Sequence, residues 1–252
     1  MRWSPQIRQL EWLTARPIAH RGLHNRDTGV IENTASAFAA AIACNYAIEC
    51  DLQLAADGEA VVFHDETLGR LTLKSGLLNR HSATELKKAA FKETADRIQT
   101  LGELLDQVGG RVPLLIELKS HWDADRRLAQ RALGALEHYQ GPYALMSFDP
   151  DLIQYVRELS PGTVRGVVAD RATHRAYGLL PFARRIELRS LSHGPRTRPH
   201  FLSFRWQDLP FEPIGRFREK GWPVITWTIR SPEQASAALR FSDQITFEGF
   251  KA

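Results

Sequence analysis

The feature that most constrains this chain is its rhythm. Short apolar runs of strand length alternate with helical patterns from one end to the other. The runs are RPIAHRG (16–22), YAIECDLQL (46–54), VPLLIELKS (112–120), YALMSFD (143–149), VRGVVAD (164–170), HFLSFRW (200–206), PVITWTI (223–229) and QITFEGF (244–250). Each but the last precedes a helical pattern. Eight such units in 252 residues match the size of a closed (β/α)₈ TIM barrel, an α/β fold. A doubly wound open sheet is the rival, but no GxGxxG follows the first run to favour it.

One unit is interrupted. Asp57-Gly58 is a hairpin turn signal, and EAVVFHD (59–65) reads as the return arm of the second strand. A polar, irregular stretch follows to about Arg80. Helix starts are marked by Asn33 before TASAFAAAIACN, by Ser82 with Glu85, and by Thr100 with Glu103 in two capping boxes. Asp149-Pro150 and Ser231-Pro232 open two more. The stretch 171–199 holds LLPFARRI as a helix candidate and then a loop of Arg, Ser and Pro. No linker divides the chain, so 1–252 is expected to form one domain.

At the N-terminus Trp3, Ile7, Leu10 and Leu13 have helical spacing, as expected of a short helix covering the bottom of the fold. That segment lacks the apolar length of a signal peptide or membrane span. Cys50 sits in an apolar run and Cys44 gives it no framework, which suits a reducing, cytoplasmic setting. The net charge is +4 without a basic run, so nucleic acid is not an expected partner, nor is stable membrane insertion. The oligomeric state is left open.

Side chains alternate along a strand. If Ile48, Cys50 and Leu52 pack outward on helices, Glu49 and Asp51 point into the barrel. In LLIELK, Glu117 and Lys119 share one face in the same way. Three carboxylates converging inside a barrel mouth are costly without a counter-charge. An all-oxygen set of this kind suits a hard divalent cation, Mg²⁺ or Ca²⁺ with Mn²⁺ also admissible, rather than zinc. Ion pairing with Lys119 and Arg21 is the alternative use of the same charges.

His20 and His64 end the first strand and the hairpin arm, where barrel chemistry sits, and can act as general acid and base. Arg21 and Lys119 are donors suited to phosphate. His24 falls close enough to line the same pocket. His81, His121, His138, His174, His193 and His200 are expected to be structural or superficial. No GxSxG, HExxH or CxxC occurs.

The ordered set HRG (20–22), ENT (32–34), ExD (49–51), DG with VVFHD (57–65) and ELK (117–119) resembles the glycerophosphodiester phosphodiesterase family. The likeness is densest over 17–72 and returns at 113–120, Ser147-Phe148 and TWTI (226–229). It implies a (β/α)₈ barrel with a small insertion at about 52–80. It implies a divalent metal on Glu49, Asp51 and Glu117, catalytic His20 and His64, and Arg21 and Lys119 on the phosphate. Glu32 would orient neighbouring groups, and Trp227 and Phe148 would line the wall for the alcohol. The reaction implied is metal-dependent hydrolysis of a glycerophosphodiester to glycerol 3-phosphate and an alcohol.

Two departures stand out. The family's last strand commonly ends in Thr-Asp-x-Pro, whereas this chain has TFEGF (246–250), so Glu248 stands near that Asp. GRLTLKSG (69–76) keeps part of an Arg-Thr-Thr pattern. Rival functions are a phospholipase D-type hydrolase of lysophospholipids, against which the lack of an obvious apolar interfacial loop counts, and a barrel that binds phosphodiesters without turnover.

Overall fold

In the computed structural model, which describes residues 7–173 and 175–252, the sheet closes on itself. The strands are β1 (Ile18–Ala19), β2 (Ala47–Leu54), β3 (Ala60–Val62), β4 (Leu114–Leu118), β5 (Tyr143–Ser147), β6 (Arg165–Ala169), β7 (Phe201–Arg205), β8 (Val224–Ile229) and β9 (Gln244–Phe247). Eight run parallel in the order β1-β2-β4-β5-β6-β7-β8-β9, and β1 pairs with both β2 and β9. β3 is the antiparallel arm of β2. The helices are α1 (Ala35–Ala43), α2 (Ala83–Lys87), α3 (Leu101–Val108), α4 (Arg127–Leu136), α5 (Pro150–Leu159), α6 (Phe182–Ser190), α7 (Gly194–Thr197), α8 (Glu212–Glu219) and α9 (Pro232–Ala238). This is the (β/α)₈ barrel that the rhythm predicted.

Strand alternation sorts the side chains into two cores. Ile48, Cys50, Leu52, Ile116 and Leu118 face outward and pack with Leu101, Leu104, Leu128 and Ala132 of the surrounding helices. Ile18, Ala47, Leu115, Ala144, Phe201 and Ile225 fill the lower barrel, closed from below by Leu10 and Leu13. Each fully buried side chain of this size contributes roughly 1.5–3 kcal/mol. The N-terminal segment does cover the bottom, as a 3₁₀ turn over Ile7–Leu13. Trp3 and His174 lie outside the described residues. With the bottom filled, the inward positions nearest the strand C-termini are the ones left facing open space.

The helix starts follow the local chemistry. Ser82 with Glu85 and Thr100 with Glu103 form complete capping boxes, and Asp149 and Ser231 cap α5 and α9. Two readings need correction. Thr34, not Asn33, caps α1, because Asn33 is turned into the barrel at φ 56°. The stretch after LLPFARRI, read as a loop, continues α6 to Ser190 and then contains the short helix α7.

The excursion after β2 continues to Gln99 before α3 returns to the barrel. It has its own small core, in which Val61, Phe63, Leu68, Leu78, Leu86 and Ile98 pack together. The helix α2 buries Leu86 there rather than against the barrel wall, which is why the excursion outlasts residue 80. Among the described residues no helix is long and apolar enough to cross a membrane.

Candidate active site

The register of β2 on β4 sets Asp51 directly opposite Glu117, with Glu49 one inward step below. Oxygen atoms of Glu49, Asp51 and Glu117 all lie within 4.8 Å of one another, and all three residues are buried. Burial and the charges of Asp51 and Glu117 push the Glu49 carboxyl well above the usual carboxylate range. Burial also opposes charge on Asp51, but Lys119 and Arg21 overcome it and hold Asp51 well below that range. Lys119 Nζ donates to Glu117 Oε1 at 2.9 Å and lies 3.2 Å from Asp51 Oδ1. Among the described residues no lysine or arginine side chain pairs with Glu49. It accepts the backbone N–H of Arg21 at 3.0 Å.

Residues 20–34 form one clamp around these carboxylates. Arg21 has a left-handed backbone at φ 55°, and Gly22 follows at φ 80°. The turn aims the guanidinium inward, with Nε 3.2 Å from Asp51 Oδ2 and Nη1 donating to Glu32 Oε1 at 2.6 Å. Asn33 Nδ2 donates to Asp51 Oδ2 at 2.9 Å, while Asn33 Oδ1 accepts from the Asp51 backbone at 3.3 Å. The three residues of ENT thus do three jobs: Glu32 holds Arg21, Asn33 holds Asp51, and Thr34 starts α1.

Both predicted catalytic histidines are braced through Nδ1. His20 Nδ1 lies 2.5 Å from Glu248 Oε2, and its Nε2 lies 3.9 Å from Glu49. Burial lowers the His20 pKa despite the Glu248 hydrogen bond. His64 Nδ1 lies 2.7 Å from Asp65 Oδ1. Gln53 Nε2 donates to the His64 carbonyl at 2.9 Å and also reaches the Asp65 carbonyl. A carboxylate that accepts from Nδ1–H leaves Nε2 with its lone pair free. His24 joins the same corner, its Nε2 3.8 Å from Glu248.

An ion network ties the excursion to this site. Arg70 donates to both oxygens of Glu32, at 2.7 and 3.0 Å, and to Asp65. The carboxyl of Glu32 is partly buried, yet Arg70 and Arg21 lower it to about 2. From the partial Arg-Thr-Thr pattern, Arg70 enters the network. Thr72 is buried and bonds the carbonyls of Leu68 and Lys74.

Above the carboxylates lies a cleft of about 590 Å³. Glu117, Lys119, His64, Phe148 and Trp227 line it, with Phe148 and Trp227 edge to face at 5.5 Å. The Trp227 indole N–H donates to the Ser203 carbonyl at 2.9 Å, which fixes the ring. Arg21 and Glu32 sit outside this lining as a mutual pair. Tyr177, Asp170, Arg205, Glu66 and His121 line the cleft without having been predicted. Arg205 lies opposite Trp227, and Asp170 continues the inward face of β6 two residues past Val168, so alternation alone marks them. His121, expected to be structural or superficial, is exposed, and it also lines the cleft with Nδ1 3.2 Å from Glu66.

A barrel mouth that sets buried carboxylates and fixed cations beneath an aromatic-walled cleft suits esters of phosphate better than acyl esters. Comparison with known proteins narrows that class. The model of the glycerophosphoryl diester phosphodiesterase family matches residues 20–244, and the chain belongs to that family. It is a phosphoric diester hydrolase by class. It is 29% identical to the Bacillus subtilis protein YhdW over 231 residues, covering 87% of this chain and 88% of that one. A glycerophosphodiester phosphodiesterase of Caldanaerobacter subterraneus is 32% identical over 154 residues, 57% of this chain and 62% of its own length. The crystal structure of a glycerophosphodiester phosphodiesterase from Thermotoga maritima aligns with a TM-score of 0.71 at 28% identity, covering 91% of this chain and 92% of that one.

Proposed function

We propose that this chain hydrolyses glycerophosphodiesters to glycerol 3-phosphate and an alcohol, with a divalent cation bound by Glu49, Asp51 and Glu117. The observation that carries the proposal is the convergence of those three buried carboxylates beside two histidines, each braced at Nδ1. The donor set is all oxygen and over-supplied with negative charge at Glu49, so it fits Mg²⁺ or Ca²⁺, with Mn²⁺ an acceptable substitute. The bound cation supplies charge neutralisation at the phosphate and acidifies an oxygen nucleophile.

The chain's own residues do the rest. Lys119 and Arg21 donate to the phosphate oxygens. His20 lies beside Glu49, and its free Nε2 takes the proton from the attacking water as that water's oxygen bonds to phosphorus. His64 lines the cleft and, as the imidazolium with Asp65 holding its Nδ1–H, gives its Nε2 proton to the departing alkoxide as the P–O bond to the alcohol breaks. The aromatic pair Phe148 and Trp227 walls the alcohol side, and Glu32 orients Arg21.

The test is glycerol 3-phosphate release from a panel of glycerophosphodiesters with Mg²⁺, Mn²⁺ or Ca²⁺ and with a chelator. Release that stops with chelator and in Glu49→Ala supports the cation site. Undiminished release in both would overturn it. If neither His20→Ala nor His64→Ala loses activity, the histidine roles are wrong.

A further inference from the structure

The segment after β6 leaves the barrel mouth and turns an apolar side outward. Tyr177 still lines the cleft. Two residues later Leu179 is 93% exposed, followed by Phe182 at 71% and Ile186 at 45%. On α6, positions 182, 183, 186, 189 and 190 share the solvent side while Leu188 is buried beneath them. The exposed side thus carries Phe182, Ala183 and Ile186 in a stripe that begins at Leu179. A small helix normally directs such a stripe into the core. Here the core side is supplied by Leu188, and the stripe is left over.

The charge around the stripe is one-sided. Residues 175–198 contain six arginines and one glutamate. That glutamate, Glu187, is paired with Arg184 and Arg196, which also hold Asp151. Neither Arg185 nor Arg189 has an acidic partner among the described residues. The Arg185 guanidinium lies 5.7 Å from the centre of the Phe182 ring, and its Nε has no hydrogen-bond partner. On the excursion after β2, Leu73 is 75% exposed next to Lys74.

We propose that the 179–189 face docks on an anionic lipid surface, seating the cleft mouth beside the bilayer. Apolar side chains flanked by unpaired arginines match the two contributions to interfacial binding, shallow apolar insertion and attraction to anionic headgroups. A second copy of this chain is the poorer occupant. Leu179, Phe182 and Ile186 expose on the order of a few hundred Å², below the roughly 800 Å² that each partner of a stable complex buries. The arginines would also face one another across such an interface.

The proposal is independent of the catalytic reading and is tested without turnover. Wild-type protein is sedimented with vesicles of pure phosphatidylcholine and of an equimolar phosphatidylcholine–phosphatidylglycerol mixture. Partition onto the anionic vesicles is expected to exceed that onto neutral ones by about tenfold and to fall with salt. Leu179→Ser with Phe182→Ser, and separately Arg185→Gln with Arg189→Gln, are each expected to lower it by about tenfold. Both double variants should keep the wild-type circular dichroism and thermal midpoint. Wild type that stays in the supernatant, or apolar variants that bind as well as wild type, would overturn the proposal. So would a concentration-dependent dimer that the serine variant abolishes, because a second copy would then own the face.

Discussion

The carboxylate of Glu248 faces His20 Nδ1 at 2.5 Å while Arg230 holds its other oxygen at 2.7 Å. Burial opposes its charge, but these partners keep it ionised far below the usual range. The extra methylene relative to the family's Asp is taken up by reaching across from the end of β9 to the end of β1. Glu248→Ala is expected to lower kcat by about 10²-fold with little change in KM, and Glu248→Gln to fall between. Steady-state kinetics decide it: a change mainly in KM would make Glu248 a substrate ligand instead. His193, which the proposed reaction does not use, is buried and its pKa is lowered to about 4 by burial. Its folded pKa lies below the unfolded value near 6.5, so the unfolded chain binds more protons between the two, and stability falls as pH drops from about 6.5 to 4. The loss amounts to about 3 kcal/mol. Urea midpoints measured across that range should fall in wild type, and His193→Leu should flatten the slope.

At the scale of elements, the turn after β1 is the most constrained point in the site. Gly22 has φ 80°, and a Cβ there would lie 2.8 Å from the carbonyl carbon and Cβ of Ala37 on α1. The close approach of α1 brings Asn33 onto Asp51, so the glycine serves geometry two elements away. Gly22→Ala is expected to destabilise the fold by about 1–3 kcal/mol and to depress activity further by moving Arg21. A thermal melt with parallel kinetics checks it, and a neutral melt would show that α1 can retreat. The excursion after β2 illustrates why some elements were harder to read. Ser82 and Glu85 announce α2 locally, but its sequence does not say whether Leu86 faces the barrel or a separate core.

For the whole molecule, Glu49 is the unfavourable member of the three inward carboxylates in the cation-free protein, its charge opposed by burial, Asp51 and Glu117. Cation binding should therefore stabilise the fold: at a concentration about 100-fold above Kd the gain is about 2.7 kcal/mol. That corresponds to a rise in Tm of about 5–10 °C. Glu49→Gln should show little cation-induced shift, and its cation-free form should melt above cation-free wild type, because the cost of holding that carboxyl against burial and the charges of Asp51 and Glu117 is gone. Scanning calorimetry with and without chelator reads both. A wild-type Tm indifferent to Mg²⁺, Mn²⁺ and Ca²⁺ would remove the cation from this site.

The sequence by itself determined the barrel, because the repeat of apolar runs and helix caps is local information that each segment carries alone. It also determined that Glu49, Asp51, Glu117 and Lys119 face inward, since a period of two leaves each strand one choice once its apolar side is packed. Tertiary structure alone decided what meets what. Glu248 on His20, Arg70 on Glu32 and Asn33 on Asp51 join positions 228, 38 and 18 residues apart. Only barrel closure and the folded excursion bring them within hydrogen-bond reach. The exposed face of α6 belongs with these. An apolar residue at a helical period reads as core until the fold shows that another residue, Leu188, has already taken the core side.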